Sequence, residues 1–331
     1  MTNTYLKMFL FIIASGLLLG QKVAGKNYSY SKTFNQIAQK DGLPNNLVEC
    51  LVQDHIGYMW FGTKRGLSRY DGYDFKNYKS NIDDPTSLPY HHITALLETS
   101  DSTLLVGVWR NGLCKYNRVQ DNFSMVDLKP TIFPKNLEIK RIFEDSKKRI
   151  WLLHNYGITV TTPDGKVLKD VDRSNFKGQE VSAIYEKRNK EIIIAAGESI
   201  YSYNNSLQTL KKIQYSCNVK VGSIYQFYQF NNYTLWLASD YGLLTYDMNM
   251  KTISPLLKSN DGAFKFIFED AHKNIWTGGN YPIYYERYTN KTHHFNEMIV
   301  SVRHRGHLRS SSPSPSSFSS ISGLNSTCFK G

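Results

Sequence analysis

Lys64-Arg65, Trp109-Arg110-Asn111, Asn155-Tyr156, Asp240-Tyr241 and Asn280-Tyr281 are short charged, amide and aromatic clusters, each set between two apolar runs. Such residues suit the recognition of a carbohydrate. Flat rings cover the C–H face of a sugar, while Arg, Asp and Asn share paired hydrogen bonds with neighbouring hydroxyls. The candidate ligand-binding set is Lys64, Arg65, Trp109, Arg110, Asn111, Tyr156, Asp240, Tyr241 and Tyr281, with Asn45, Asn46, His91, His92 and Glu198 in similar settings. Asn, Asp and Gly are also ordinary turn formers, and Tyr or Trp at a turn edge can serve only to pack.

Other chemistry finds no support. The chain has no Gly-x-Ser-x-Gly, no His-Glu-x-x-His and no carboxylate pairs at equivalent positions. His91 and His92 are adjacent in an extended segment, so their side chains diverge. Cys50, Cys114, Cys217 and Cys328 form no C-x-x-C pair and have no His cluster beside them. No catalytic residue, metal or cofactor is expected. Two alternatives stand beside sugar binding: a domain that binds proteins without a small ligand, and a secreted glycan-active enzyme with its site spread over separate parts of the fold.

The elements that would position these clusters repeat. Six strand-like runs begin at 47, 93, 139, 181, 222 and 264, among them "LVECLVQD", "IKRIFEDS" and "FKFIFEDA". Each is followed by a second run centred on Trp60, Leu105, Trp151, Ile193, Trp236 or Trp276, then by a third such as "GLSRYD" or "GLLTYD". Val, Ile, Phe, Tyr and Thr alternate at period two, and no amphipathic helix is evident after residue 26. Three to four short strands every ~40–45 residues is the footprint of a β-propeller blade. The expected fold is all-β, a propeller of six four-stranded blades. The turns between second and third strands and the links between blades lie on one face of a propeller, which gathers the candidate residues at the mouth of its channel.

The stretch "YMWFGTKRGLSRYDG" (58–72) reads as structure. Trp60 and Phe61 point to opposite faces of a strand packed on both sides. Gly62 permits close approach, Gly66 supplies a positive φ in the turn, and Asp71-Gly72 turns the chain into a fourth strand. Trp60, Gly62, Gly66, Trp151, Trp236 and Trp276 are therefore assigned to the repeat.

These residues resemble the two-component regulator propeller repeat, an Ile-x-x-Ile-x-x-Asp strand followed by Trp-x-Gly-Thr, Gly-Leu and Tyr-Asp. The likeness is close in "QDHIGYMWFGTKRGLSRYDG" and "FEDAHKNIWTGG", and looser where Leu153 replaces the repeat Gly and Ala195-Ala196 replace Gly-Thr. The resemblance covers about residues 28 to 296. It implies the exported sensor region of a hybrid two-component histidine kinase, whose full-length members dimerise and carry a membrane helix, a kinase and further domains. It also implies about seven blades per ring, so the chain reads as an N-terminal fragment, truncated before the membrane and kinase parts, with an incomplete ring.

Residues 1–25 read as a signal peptide, with Lys7 ahead of the apolar "MFLFIIASGLLLG", which implies export to the periplasm or beyond. Residues 26–302 are assigned to the propeller. Residues 303–331 contain ten serines and lose strand alternation, so a disordered tail is expected. The net charge is +12, but Lys and Arg are scattered, which argues against nucleic-acid binding. No second apolar run is long enough for a membrane span in the mature chain.

Overall fold

The computed structural model describes residues 37–129, 131–134, 137–204, 209–258, 262–279 and 281–295. The expected signal peptide and Ser-rich tail lie outside these residues, as does Asn280.

Six antiparallel sheets follow one another along the chain. Their first strands are Val48–Gln53, Ile93–Glu98, Ile139–Glu144, Val181–Glu186, Ile224–Gln229 and Phe266–Glu269. Their second strands are Met59–Thr63, Leu104–Val108, Ile150–His154, Ile192–Ala196, Thr234–Ser239 and Ile275–Gly278. Third and fourth strands complete each sheet in simple up-and-down order, and blade 5 gains a parallel fifth strand, Ser216–Cys217. The only helical elements among the described residues are 3-10 turns at Gln39–Asp41 and Arg173–Phe176. The fold is a six-bladed, all-β propeller.

The cores lie between blades, which explains the blunted alternation of the sequence. Trp60, Cys50 and Val52 of blade 1 pack with Ile93, Leu104 and Val106 of blade 2. Leu105 packs forward onto blade 3, Trp151 onto blade 4, Ile193 onto blade 5 and Trp236 onto blade 6. The following residue on each second strand points backward, as Val106, Leu152, Ile194 and Leu237 do.

Gly62 has a steric reason: a Cβ there would lie 2.3 Å from Cys50 Sγ and 2.8 Å from Ile93. Gly66 has φ 137°, a backbone state that only glycine adopts cheaply.

Polar bonds repeat with the blades. The indole Nε1 of Trp60 donates to Asp54 at 2.8 Å, and that of Trp151 to Asp145 at 2.9 Å. In blade 5 Phe230 stands where blades 1, 3 and 6 have Asp54, Asp145 and Asp270, and stacks on Trp236 with ring centroids 4.5 Å apart. A second set of bonds joins neighbours. The last residue of a first strand accepts from a backbone N–H in the turn of the preceding blade: Glu98 from His55, Glu144 from Ser100, Glu186 from Ser146 and Gln229 from Arg188. A carboxylate or amide at one fixed offset thus sets the angle between blades.

Candidate functional site

The first strands of blades 1, 2, 4 and 5 begin with a bulge, and a register irregularity also falls at the start of the blade 3 strand. A bulge re-aims the extra side chain out of the sheet. The residues at this offset are Glu49, Thr94, Lys140, Ser182 and Tyr225, and register places Lys265 at the same point just ahead of the last first strand. All six are half-buried.

Their bonds tie turns and links to the inner strands. The Thr94 hydroxyl donates to the carbonyl of Ile139 at 2.6 Å, and the Ser182 hydroxyl to that of Ile224 at 2.5 Å. Glu49 lies 3.6 Å from Lys64 of the blade 1 turn and 3.8 Å from His92 of the next link. Lys140 pairs with Glu180 at 2.5 Å. Tyr225 donates to Asp240 at 2.6 Å, and the Lys265 ammonium sits 3.5 Å from the centre of the Tyr225 ring. The second-to-third turns, the blade links and the bulged residues therefore meet on one face.

Several candidate residues are engaged in holding that face. Asp240 accepts from Ser223 N–H as well as from Tyr225; burial pushes its carboxyl up, but these bonds outweigh it and hold the pKa below the usual range. Tyr156 stacks on Phe133 at 6.0 Å. Asn111 donates to the carbonyl of Pro89 at 2.9 Å. Tyr281 is half-buried and its carbonyl lies against Gly278. Tyr241 is exposed, with the Lys220 ammonium 5.7 Å from its ring centre.

Trp109, Arg110 and Arg65 are placed differently. Trp109 packs at a tilt against Tyr90 and His92, with ring centroids 6.0 and 5.7 Å away and interplanar angles of 32° and 31°, and the Arg110 guanidinium covers the indole at 4.5 Å. Burial lowers the pKa of His92, so it is neutral at neutral pH. Beside this aromatic group, between the Arg65 turn and the connection running from Lys79 to His92, is a cavity of about 1150 Å³. Arg65, Lys79, Ile82, Pro85, Tyr90 and His91 line it. The connection is braced internally: the Ser87 hydroxyl accepts from Asn81 N–H at 2.9 Å, and Asp84 accepts from Thr86 N–H at 2.9 Å.

Sequence reasoning missed the bulged ring and named only Arg65 and His91 of the cavity wall. The ring had a signal, a polar residue after the first β-branched residue in "ITA", "IKR", "VSA" and "IYQ". The wall had one too, a long link, "KSNIDDPTSLPYHH", of a length that is often functional. Among the described residues no group of three His, Cys, Asp or Glu side chains is placed to hold a metal, and no helix is long and apolar enough to cross a membrane.

Residues 42–65 match the two component regulator propeller family. An 81-residue stretch is 38% identical to histidine kinase P4 of Formosa agariphila, covering 24% of this chain and 6% of the kinase. The fold is similar to the extracellular domain of a hybrid two component system from B. thetaiotaomicron, with TM-score 0.50 and 19% identity, over 74% of this chain and 40% of that one. It is also similar to virginiamycin B lyase from Staphylococcus aureus, with TM-score 0.59 and 15% identity, over 76% and 85% of the two chains. The chain spans well under half the length of the sensor proteins it matches.

Proposed function

We propose that this chain is the extracytoplasmic ligand-sensing propeller of a hybrid two-component sensor, and that it binds an oligosaccharide on the face where turns and links converge. The observation that carries the reading is the aromatic group of Trp109, Tyr90 and His92, topped by Arg110 and set beside a cavity on that face. Rings of this kind cover sugar C–H faces, and the surrounding Arg and amide groups suit hydroxyls. Export fits the apolar segment near the N-terminus and the extracellular setting of the similar sensor domain.

The test is calorimetric titration of the purified protein with a panel of glycan oligosaccharides. Saturable binding that falls about ten-fold in Trp109→Ala supports the reading, since one ring contact is worth about a kcal/mol. Absence of binding across the panel, with a stable protein partner captured instead, would favour a protein-interaction propeller. Release of reducing ends from polysaccharide would favour an enzyme.

A further inference from the structure

Charge on the converging face is unevenly satisfied. Lys64 and Lys140 have carboxylate partners, Glu49 and Glu180. Arg65 and Lys79, both exposed and both lining the cavity, have no ion-pair partner among the described residues. His91, tilted against Tyr90 with ring centroids 4.1 Å apart, lies on the same wall. The one acid in the lining, Asp84, accepts from both the backbone N–H and the hydroxyl of Thr86 through a single oxygen, inside its own turn.

A concave site lined mainly by one sign of charge concentrates ions of the other sign. Arg presents a planar fork that matches a carboxylate or sulfate in two parallel hydrogen bonds. The volume, about 1150 Å³, is at the upper end of small-molecule sites, so the cavity has room for more than a bare anion. Its wall is held in shape before any ligand arrives by the Asn81, Asp84 and Ser87 bonds.

We propose that this cavity is an acidic-sugar subsite, in which Arg65 and Lys79 hold the carboxylate or sulfate of an oligosaccharide while Tyr90 and Trp109 take the ring beside it. The proposal rests on the oligosaccharide reading above and narrows it to anionic glycans. The cations supply charge and direction; the aromatic side supplies the selectivity for a sugar over a simple ion.

The experiment titrates the full chain with a trigalacturonate, the same trisaccharide methyl-esterified, a sulfated oligosaccharide and inorganic sulfate. At least one acidic oligosaccharide should saturate, at least about ten-fold tighter than the neutral ester, with affinity falling as salt rises. Arg65→Ser and Lys79→Ser should each cost about ten-fold, as expected for a charge-assisted contact. Lys211→Ser, an exposed charge change on the fourth strand of blade 4, should leave binding unchanged. Equal binding of ester and acid, or no loss in either Ser variant, overturns the acidic subsite and leaves the oligosaccharide reading standing. Inorganic sulfate binding as tightly as the acidic sugars overturns the sugar assignment of the cavity. No binding by any saccharide overturns both.

Discussion

Phe61 and Trp276 are less buried than the residues at their second-strand positions in the other blades. Phe61 points back from blade 1 and is half-buried, whereas its equivalents Val106, Leu152, Ile194, Leu237 and Thr277 are buried. Trp276 points forward from blade 6 and is half-buried, whereas Trp60, Leu105, Trp151, Ile193 and Trp236 are buried. The inter-blade bonds tell the same story. Gln53, at the offset of Glu98 and Glu144, is exposed and donates to Gly57 in its own turn at 3.2 Å.

The first prediction follows from that asymmetry. Trp151 is 0% exposed, so Trp151→Ala should cost about 3–5 kcal/mol, the range for deleting a large aromatic from a core. Trp276 is half-buried, with Tyr284 of its own sheet at 4.7 Å and Phe295 at 5.8 Å. Trp276→Ala should cost about half as much, because less area leaves water there. Urea midpoints of the two variants, measured side by side, decide it; equal costs would mean that Trp276 is covered in solution.

A second prediction concerns the carboxylate beneath Trp60. Asp54 is buried and accepts from Trp60 Nε1, from the N–H groups of Ile56 and Tyr58, and from Arg118 at 2.8 Å. Arg118 also reaches Glu98 of blade 2 at 2.6 Å. Burial raises the Asp54 pKa, but the Trp60 and Arg118 bonds outweigh it and the pKa is lowered. Asp54→Ala leaves a buried indole N–H without its acceptor and half-strands a guanidinium, for about 3–5 kcal/mol. Asp54→Asn keeps an acceptor oxygen and should cost visibly less in the same denaturant assay.

Much of the blade geometry was legible in the sequence because it is written once per repeat. The Asp54–Trp60 and Asp145–Trp151 spacing, the glycine that opens the third strand in blades 1, 2, 3 and 5, and the period itself all recur. The site was less legible, because a binding surface is made from residues that differ between blades. Asp240 and Tyr156 look like ligand contacts by type, yet Asp240 is occupied by Ser223 and Tyr225, and Tyr156 by Phe133. The cavity wall depends on how one link folds back over Arg65, a tertiary fact with no period to announce it.

Gly62 gives a third prediction. Because a Cβ there would meet Cys50 and Ile93 at 2.3 and 2.8 Å, Gly62→Val should force the first two blades apart, costing about 1–3 kcal/mol or more. Gly72, with nothing within 4 Å, lies in an open turn, and its φ of 101° means that Gly72→Val pays only for backbone strain. Pairing Gly62→Val with Cys50→Ala should recover part of the loss, since the closest clash is with the Cys50 sulfur. Thermal midpoints of the single and double variants test this; no recovery would assign the cost to Ile93 instead.

The last prediction is a pH dependence that can be traced to one side chain. His154 is buried at the end of the blade 3 second strand, with Phe133 against its ring at 4.8 Å. Its Nδ1 accepts from Tyr156 N–H at 3.2 Å, which leaves Nε2 to carry the proton toward the Thr159 hydroxyl at 3.1 Å; that hydroxyl in turn donates to Asp170. A second proton on Nδ1 would face the Tyr156 N–H. Burial pushes the imidazole pKa down to about 4, against a partial upward pull from Asp170. The unfolded chain, with a pKa near the ordinary histidine value of 6.5, therefore binds the proton first as pH falls. The stabilisation is fully present above pH ~6.5, is lost progressively down to pH ~4, and amounts to about 3 kcal/mol. Urea unfolding at pH 7, 5.5 and 4 should show this slope in the natural chain and a flatter one in His154→Gln, whatever the variant's stability at pH 7. An unchanged slope would assign the acid sensitivity to other groups.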